Sequence, residues 1–306
     1  MSNLRAPAVL CAVLCLWAAA APAQQRPAES PAESVADLIA QVAQDDYAGR
    51  AACDKLIAIG APAVPELLEA TRHAVPRVRY WSIAALSGIG DDRAPPAIQE
   101  RLKDPDGLVR AVAVWHLGRW YDRAAVRDAA LALLRDKDKF VRGWVLKLIA
   151  FKKDRDALPR VLALLQEDDE DVRYDALHTA AVLQGPDAVD LLKKAVQTDK
   201  SALVRECAAR SCTVIEPPTP RTAEVLIEAL GDPAEEVRQA AVTLLRKGFD
   251  QFFGFNPRGT AGDREAAAAK WREWYRANRD RLEWDPERRV FRVREQAPPK
   301  EGAPAR

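Results

Sequence analysis

Six arginines recur along the chain, each directly after a valine: Val78-Arg79, Val109-Arg110, Val141-Arg142, Val172-Arg173, Val204-Arg205 and Val237-Arg238. Asp104, Asp136, Glu167, Asp199 and Asp232 stand six residues ahead of the last five. A guanidinium is a planar fork of N–H donors that grips a carboxylate or phosphate through two bonds at once. Two chemistries fit this pattern. One is a track of cations for a bound anion. The other is a ladder of internal ion pairs, each arginine reaching an acid of its own turn or of the adjacent unit. The recurrence of an acid with the arginine favours the ladder, a structural role. A second set mixes rings with cations: Tyr80, Trp115, Arg119, Lys147, Phe151, Tyr174, His178 and Arg210. Stacking and charge-assisted hydrogen bonds from such a set suit an extended acidic peptide or an anionic glycan.

Other chemistry is hard to find. No nucleophile elbow, phosphate-binding loop, zinc-ligand spacing or dinucleotide fingerprint occurs. No catalytic residue, metal or cofactor is therefore expected. Cys207 and Cys212 would lie about 8.5 Å apart on one helix, beyond the ~7 Å limit for a disulfide. With Cys53 they read as buried thiols acting as small apolar residues. The 306 residues carry 46 Lys and Arg against 45 Asp and Glu. That balance gives no overall pull towards nucleic acid or anionic lipid.

The elements that must position these residues follow from the spacing. The valine–arginine pairs are 31, 32, 31, 32 and 33 residues apart, the period of a stack of similar structural units. Counting from the valine, Val78, Ser82, Leu86 and Ile89 share one side of a helix, as do Val109, Ala113, Leu117 and Trp120, and then Val141, Val145 and Ile149. A second amphipathic segment precedes each: Ala94 to Leu102, Val126 to Leu134, Leu158 to Leu165, Val189 to Val196 and Val225 to Leu230. Turn sequences such as Asp104-Pro105-Asp106-Gly107 and Gly231-Asp232-Pro233 join the two. Neither helix can bury its apolar side alone, so each unit leans on its neighbours. The fold class expected is all-α: a right-handed α-solenoid of about seven helical hairpins over residues 34–248.

The run Asp104 to Gly118, with its Asp-Pro-Asp, Val-Arg, Ala and Leu-Gly, resembles a HEAT repeat. It is most similar to the short variety in phycobilisome-lyase-like proteins. A degenerate first unit around Tyr47 to Gly60 lacks the arginine, as suits a capping repeat. The resemblance implies a binding scaffold, in which the helix that begins with Val-Arg lines the concave side. On that helix the outward positions are the aromatic and basic residues named above, from Tyr80 to Arg210. Deoxyhypusine hydroxylase, an enzyme of HEAT-like repeats, would need repeated His-Glu pairs. Here the pairs are His73-Ala74, His116-Leu117 and His178-Thr179, so that activity is not expected. HEAT-like DNA glycosylases flip bases in such a groove, but this stripe holds no evident carboxylate and the chain reads as exported. The alternative function is an enzyme or enzyme accessory of the lyase-like branch.

The ends have a different character. Arg5, the apolar run Ala8 to Ala20 and Ala21-Pro22-Ala23 form a secretory signal peptide with cleavage after Ala23. Residues 24–33 read as a flexible leader and 296–306 as a disordered tail. Residues 249–295 form a C-terminal cap. There Phe249, Phe252, Phe253 and Phe255 precede a helix from Asp263, as N-cap or first turn, to about Arg281, carrying Trp271, Trp274 and Tyr275. Leu282 to Val293 is compatible with a short hairpin whose second strand is Val290 to Val293. The rings are expected to seal the open end of the stack. The expected whole is a secreted or periplasmic, non-catalytic scaffold for a protein or peptide partner. It would bind no nucleic acid and keep no transmembrane segment once the signal is removed.

Overall fold

The computed structural model describes residues 33–294. The cleavage site after Ala23, nearly all of the leader and the 296–306 tail lie outside them. The described chain holds seven helical hairpins followed by a longer helix and a two-stranded sheet. It falls into two compact units that divide between Leu148 and Ile149, within the helix Lys139–Lys152.

The first unit runs through α1 (Val35–Gln41), α2 (Asp46–Ile59), α3 (Val64–Ala70), α4 (Pro76–Ile89), α5 (Ala94–Glu100), α6 (Gly107–Leu117), α7 (Ala124–Ala132) and α8 (Lys139–Lys152). Side-chain caps start several of them. Ser34 and Asp37 form a reciprocal capping box, and Asp45 and Asp106 accept from the first free N–H groups of α2 and α6. The second helix of one hairpin packs on that of the next, α2 on α4 and α4 on α6. The expected stripe faces inward: Val78, Ser82, Leu86, Val109, Ala113, Leu117, Val141 and Val145 are all buried. The helices approach closely. A Cβ built on Gly49 of α2 would meet Trp81 Nε1 at 2.3 Å, so only glycine fits there.

The first helix of a hairpin tightens before its turn. Arg101–Lys103 and Leu133–Arg135 are 3-10 turns, and the acid that follows, Asp104 or Asp136, is extended with ψ of 142° and 144°. At Asp104 the following proline itself disfavours the helical region. The chain reverses on that acid, which is where the ladder begins.

The second unit comprises α9 (Leu158–Ala163), α10 (Glu170–Gln184), α11 (Val189–Thr198), α12 (Ala202–Ser211), α13 (Thr222–Ala229), α14 (Glu235–Phe249), α15 (Ala261–Asn278), β1 (Leu282–Asp285) and β2 (Val290–Val293). One buried cluster runs from Leu177 through Val204, Leu226 and Val237 to Phe249, Trp271 and Phe291, so the cap and the repeats share a core. Phe249 stacks on Phe291 at 5.2 Å, and Phe253 meets Trp271 edge-on at 4.9 Å. Edge-on and offset contacts of this kind add to the apolar area that large rings bury. Phe252 stays apart, 69% exposed, with the Arg246 guanidinium over its ring.

Of the two places expected for Asp263, the first turn of α15 is the one it takes. The cap is Thr260, whose hydroxyl accepts from the Asp263 N–H, and the helix starts two residues earlier than expected, at Ala261. The α-helix stops at Asn278 and Arg279–Arg281 continue as a 3-10 turn. The hairpin pairs Leu282 with Val293 and Trp284 with Phe291 in antiparallel register. Among the described residues no helix is long and apolar enough to cross a membrane.

Candidate functional site

The arginines divide their donors in a repeated way. Arg79 gives Nε and Nη2 to the Asp104 carboxylate at 2.8 and 2.6 Å, and Nη1 to the carbonyls of His73 and Ala74. Arg110 does the same with Asp136, both bonds at 2.8 Å, and with the carbonyls of Asp104 and Pro105. In the second unit Arg173 grips Asp199 at 2.9 Å twice, and Arg205 grips Asp232 at 2.6 and 3.0 Å. Their Nη1 atoms bond Glu167 and Asp168 carbonyls and the Asp199 carbonyl, respectively. The fork thus takes the carboxylate of the adjacent turn, while its own turn supplies backbone carbonyls. Each aspartate is also held by its own backbone: Asp104, Asp136, Asp199 and Asp232 accept from the N–H two residues on.

Three members depart from the acid-pairing pattern. Arg238 has no carboxylate; Nε and Nη2 donate to the Pro257 carbonyl at 3.0 and 2.8 Å. The repeats end there, and the cap supplies a backbone acceptor where a further turn would have offered an acid. Glu167 is exposed and contributes its carbonyl to Arg173 rather than a carboxylate. Its side chain is one methylene too long for the two-residue backbone turn that fixes the aspartates. Arg142 grips no carboxylate among the described residues: it donates Nη1 to the Asp136 carbonyl at 2.8 Å, and its Nε is buried without an acceptor, the acid of the following turn being the exposed Glu167.

Electrostatics agree with the geometry. Burial pushes the Asp136 and Asp199 carboxyls up, but the arginine forks, a backbone N–H and the arginine charges outweigh it, and both end below the ordinary carboxylate range. Hydrogen bonds to their aspartates raise Arg110, Arg173 and Arg205 further. These groups are saturated by internal partners and offer little to an outside anion.

The mixed aromatic and basic residues sit on the second helices, except Arg119, which lies in the 3-10 turn Gly118–Trp120 after α6. In the first unit, Tyr80, Leu108, Ala111, Val112, Trp115, Phe140 and Trp144 line a shallow cleft. Trp115 meets Trp144 edge-on at 5.4 Å, and Phe140 meets Trp144 at 6.1 Å. Lys147 places Nζ 5.4 Å from the centre of the Trp144 ring. Tyr80 is half-buried, edge-on to Trp81, and burial pushes its hydroxyl up to about 12. Arg119 is exposed one turn along from Trp115, its guanidinium lying over Gly90 at the end of α4. Gly90 is left-handed, with φ of +75°.

In the second unit Phe151 is 52% exposed and Arg210 is exposed, paired with Glu206. Tyr174 and His178 are half-buried, and His178 Nδ1 lies 3.4 Å from Ser211 Oγ. Cys53 in the first unit and Cys207 and Cys212 in the second are free thiols. Burial pushes Cys53 and Cys207 up to about 12 and raises Cys212, the opposite of an activated nucleophile. Among the described residues no group of His, Cys, Asp and Glu is placed to hold a metal ion.

Sequence reasoning missed Trp144, Leu108 and Phe140. Trp144 is 7% exposed, three residues after its valine, on neither the inward nor the outward period. Leu108 and Phe140 directly precede their valines and are 49% and 38% exposed. Two large apolar residues in the solvent-facing first turn were the available signal.

Comparison with known proteins places this architecture. The family model for HEAT repeats matches residues 35–118, 95–180, 127–213 and 159–246. Protein YibA of Escherichia coli K12 is 32% identical over 106 residues, which cover 34% of this chain and 36% of YibA; the chain thus spans about a third of that relative's length. The crystal structure of YibA is similar at 19% identity and a TM-score of 0.46, over 72% of this chain and 77% of that one. The CpcE–CpcF complex of phycocyanin lyase from Nostoc sp. is similar at 20% identity and a TM-score of 0.42, over 82% and 100%. With the model laid over the same hairpins that carry the turn acids and valine–arginine pairs, the chain belongs to the HEAT-repeat family.

Proposed function

We propose that the chain is an exported, non-catalytic scaffold that recognises a protein partner through the exposed face of its valine–arginine helices. The observation that carries this reading is the aromatic cleft of the first unit. Its rings are held edge-on to one another before any partner arrives, so little ordering is needed on binding. Large rings beside exposed cations are the composition of interface hot spots. Arg79, Arg110, Arg173, Arg205 and Arg238, committed to internal acceptors, hold the stack while the ring-bearing face stays available. Tyr80, Trp115, Arg119 and Lys147 serve this role in the first unit, and Phe151, Tyr174, His178 and Arg210 in the second. Export rests on the signal-like segment ending at Ala23.

The test is affinity capture from the extracytoplasmic fraction by the chain beginning at Gln24. A Trp115→Ala, Tyr174→Ala variant shown by circular dichroism to be folded is the comparison. A protein retained by the first and lost from the second is the expected result. Equal retention by both overturns the reading of this face. N-terminal sequencing of the protein recovered from its native host should begin at Gln24; an intact Met1 end would overturn export.

A further inference from the structure

We infer that the cleft of the first unit is a site for an acidic peptide segment anchored by one large apolar side chain. This rests on the scaffold reading and names the partner's chemistry. The cleft walls are almost wholly apolar, from Tyr80, Leu108, Val112, Trp115, Phe140 and Trp144, which suits a leucine or phenylalanine laid across the rings. The three helices that build it, Pro76–Ile89, Gly107–Leu117 and Lys139–Lys152, contain no aspartate or glutamate; they carry Lys139 and Lys147 besides the ladder arginines, and Arg77, which pairs with Asp46 at 3.3 Å. The corresponding helices of the second unit hold Glu170, Asp171, Asp175, Glu206, Glu235 and Glu236.

Arg119 sharpens the point. It is exposed, and it makes no hydrogen bond or ion pair among the described residues. The acids just past Gly90 are already engaged: Asp91 is gripped twice by Arg93, at 2.8 Å each, and Asp92 pairs with Arg123 at 2.6 Å. A guanidinium held over a helix end, with no hydrogen-bond acceptor of its own among the described residues, is placed to bind a carboxylate from outside. An anchor laid on the rings and an acidic residue reaching Arg119, four residues beyond Trp115 in the 3-10 turn Gly118–Trp120, would satisfy both features at once.

The probes are fluorescein-labelled nonapeptides with four glutamates on either side of a central phenylalanine, the same with central alanine, and the phenylalanine peptide with lysine flanks. Polarisation is read with the chain beginning at Gln24. The glutamate–phenylalanine peptide should bind, and its alanine and lysine counterparts should bind about tenfold more weakly or worse. Binding should fall with added salt. Arg119→Glu and Leu108→Glu, both at exposed positions and so compatible with folding, should each cost about tenfold. No binding of the acidic peptide up to about 1 mM overturns the inference. Equal binding of the lysine peptide, or unchanged binding by Arg119→Glu, does so too. If protein capture still depends on Trp115 and Tyr174 while the acidic peptide fails, only the partner's chemistry is wrong. If capture is independent of both residues, the broader reading falls.

Discussion

Removing Arg110 should unfasten one turn of the first unit and cost more than any exposed ion pair. Its side chain and that of Asp136 are 6% and 7% exposed, and it makes four hydrogen bonds: two to the carboxylate and two to the carbonyls of Asp104 and Pro105. Arg110→Met keeps the aliphatic stem but strands a buried carboxylate with only the Asp138 N–H for a partner. Breaking one side of a buried pair costs about 3–5 kcal/mol. Arg110→Lys keeps the charge but has no fork, so it should lose about 2 kcal/mol. Replacing both partners, Arg110→Met with Asp136→Leu, removes the stranded charge and should recover about 2 kcal/mol of coupling. Urea unfolding followed by circular dichroism reads the total. Because repeat stacks can unfold in parts, amide exchange across 104–110 and 136–142 shows whether the loss is local. A loss under about 1 kcal/mol for Arg110→Met, the range of exposed pairs, would refute the reasoning. A double-mutant cycle additive to within about 0.5 kcal/mol would do the same.

Further outcomes follow from the burial of single groups. The Asp136 and Asp199 carboxyls lie below their unfolded values, so the unfolded chain binds more protons in that interval and stability rises with pH across it. Their contribution is complete above about pH 4 and is lost as pH falls through the folded values; Asp136→Asn should flatten that limb of a melting-temperature profile. Burial lowers His116 to about 4 from an ordinary 6.5, so its neutral form is needed for folding. Stability should drop between those pH values by on the order of 3 kcal/mol, and His116→Leu should abolish that slope. Cys53, Cys207 and Cys212 should resist a thiol reagent at pH 8 and react once the chain is unfolded in guanidinium; native reactivity of Cys53 or Cys207 would contradict the burial. Trp271, fully buried in the cap, should cost about 3–5 kcal/mol on substitution by alanine, measured in urea alongside light scattering for exposed apolar surface.

Much of this fold could be read from the residues because its signals are local and repeated. The valine–arginine period and the acid five residues ahead of the valine mark every turn from Asp104 to Asp232. What could not be read is which neighbour each side chain meets. The Arg110 fork reaches Asp136 and not Asp104, an outcome set by how hairpins stack rather than by spacing within one. Pro257 as the last acceptor was invisible, since a backbone carbonyl has no residue signature. The ring-bearing face was legible at Tyr80 and Trp115, which fall on the outward period. It was not legible at Leu108 and Phe140, where exposure depends on the angle at which the chain enters the helix, nor at Trp144, which anchors the cluster from within.

The two spans of the ladder differ in how much length they tolerate. Each arginine lies six residues beyond the first carbonyl it bonds in its own turn, and this holds for Arg79, Arg110, Arg142, Arg173, Arg205 and Arg238 alike. The distance onward to the gripped aspartate is 25, 26, 26 and 27 residues. The short span is a closed ring of backbone and side chain whose size cannot change. The long span passes through a connection and a whole helix, and it absorbs the one- and two-residue differences among repeats. Insertions in this chain should therefore be accepted between an arginine and the following acid, and rejected between an acid and the arginine after it. A whole repeat could be duplicated without disturbing a single grip.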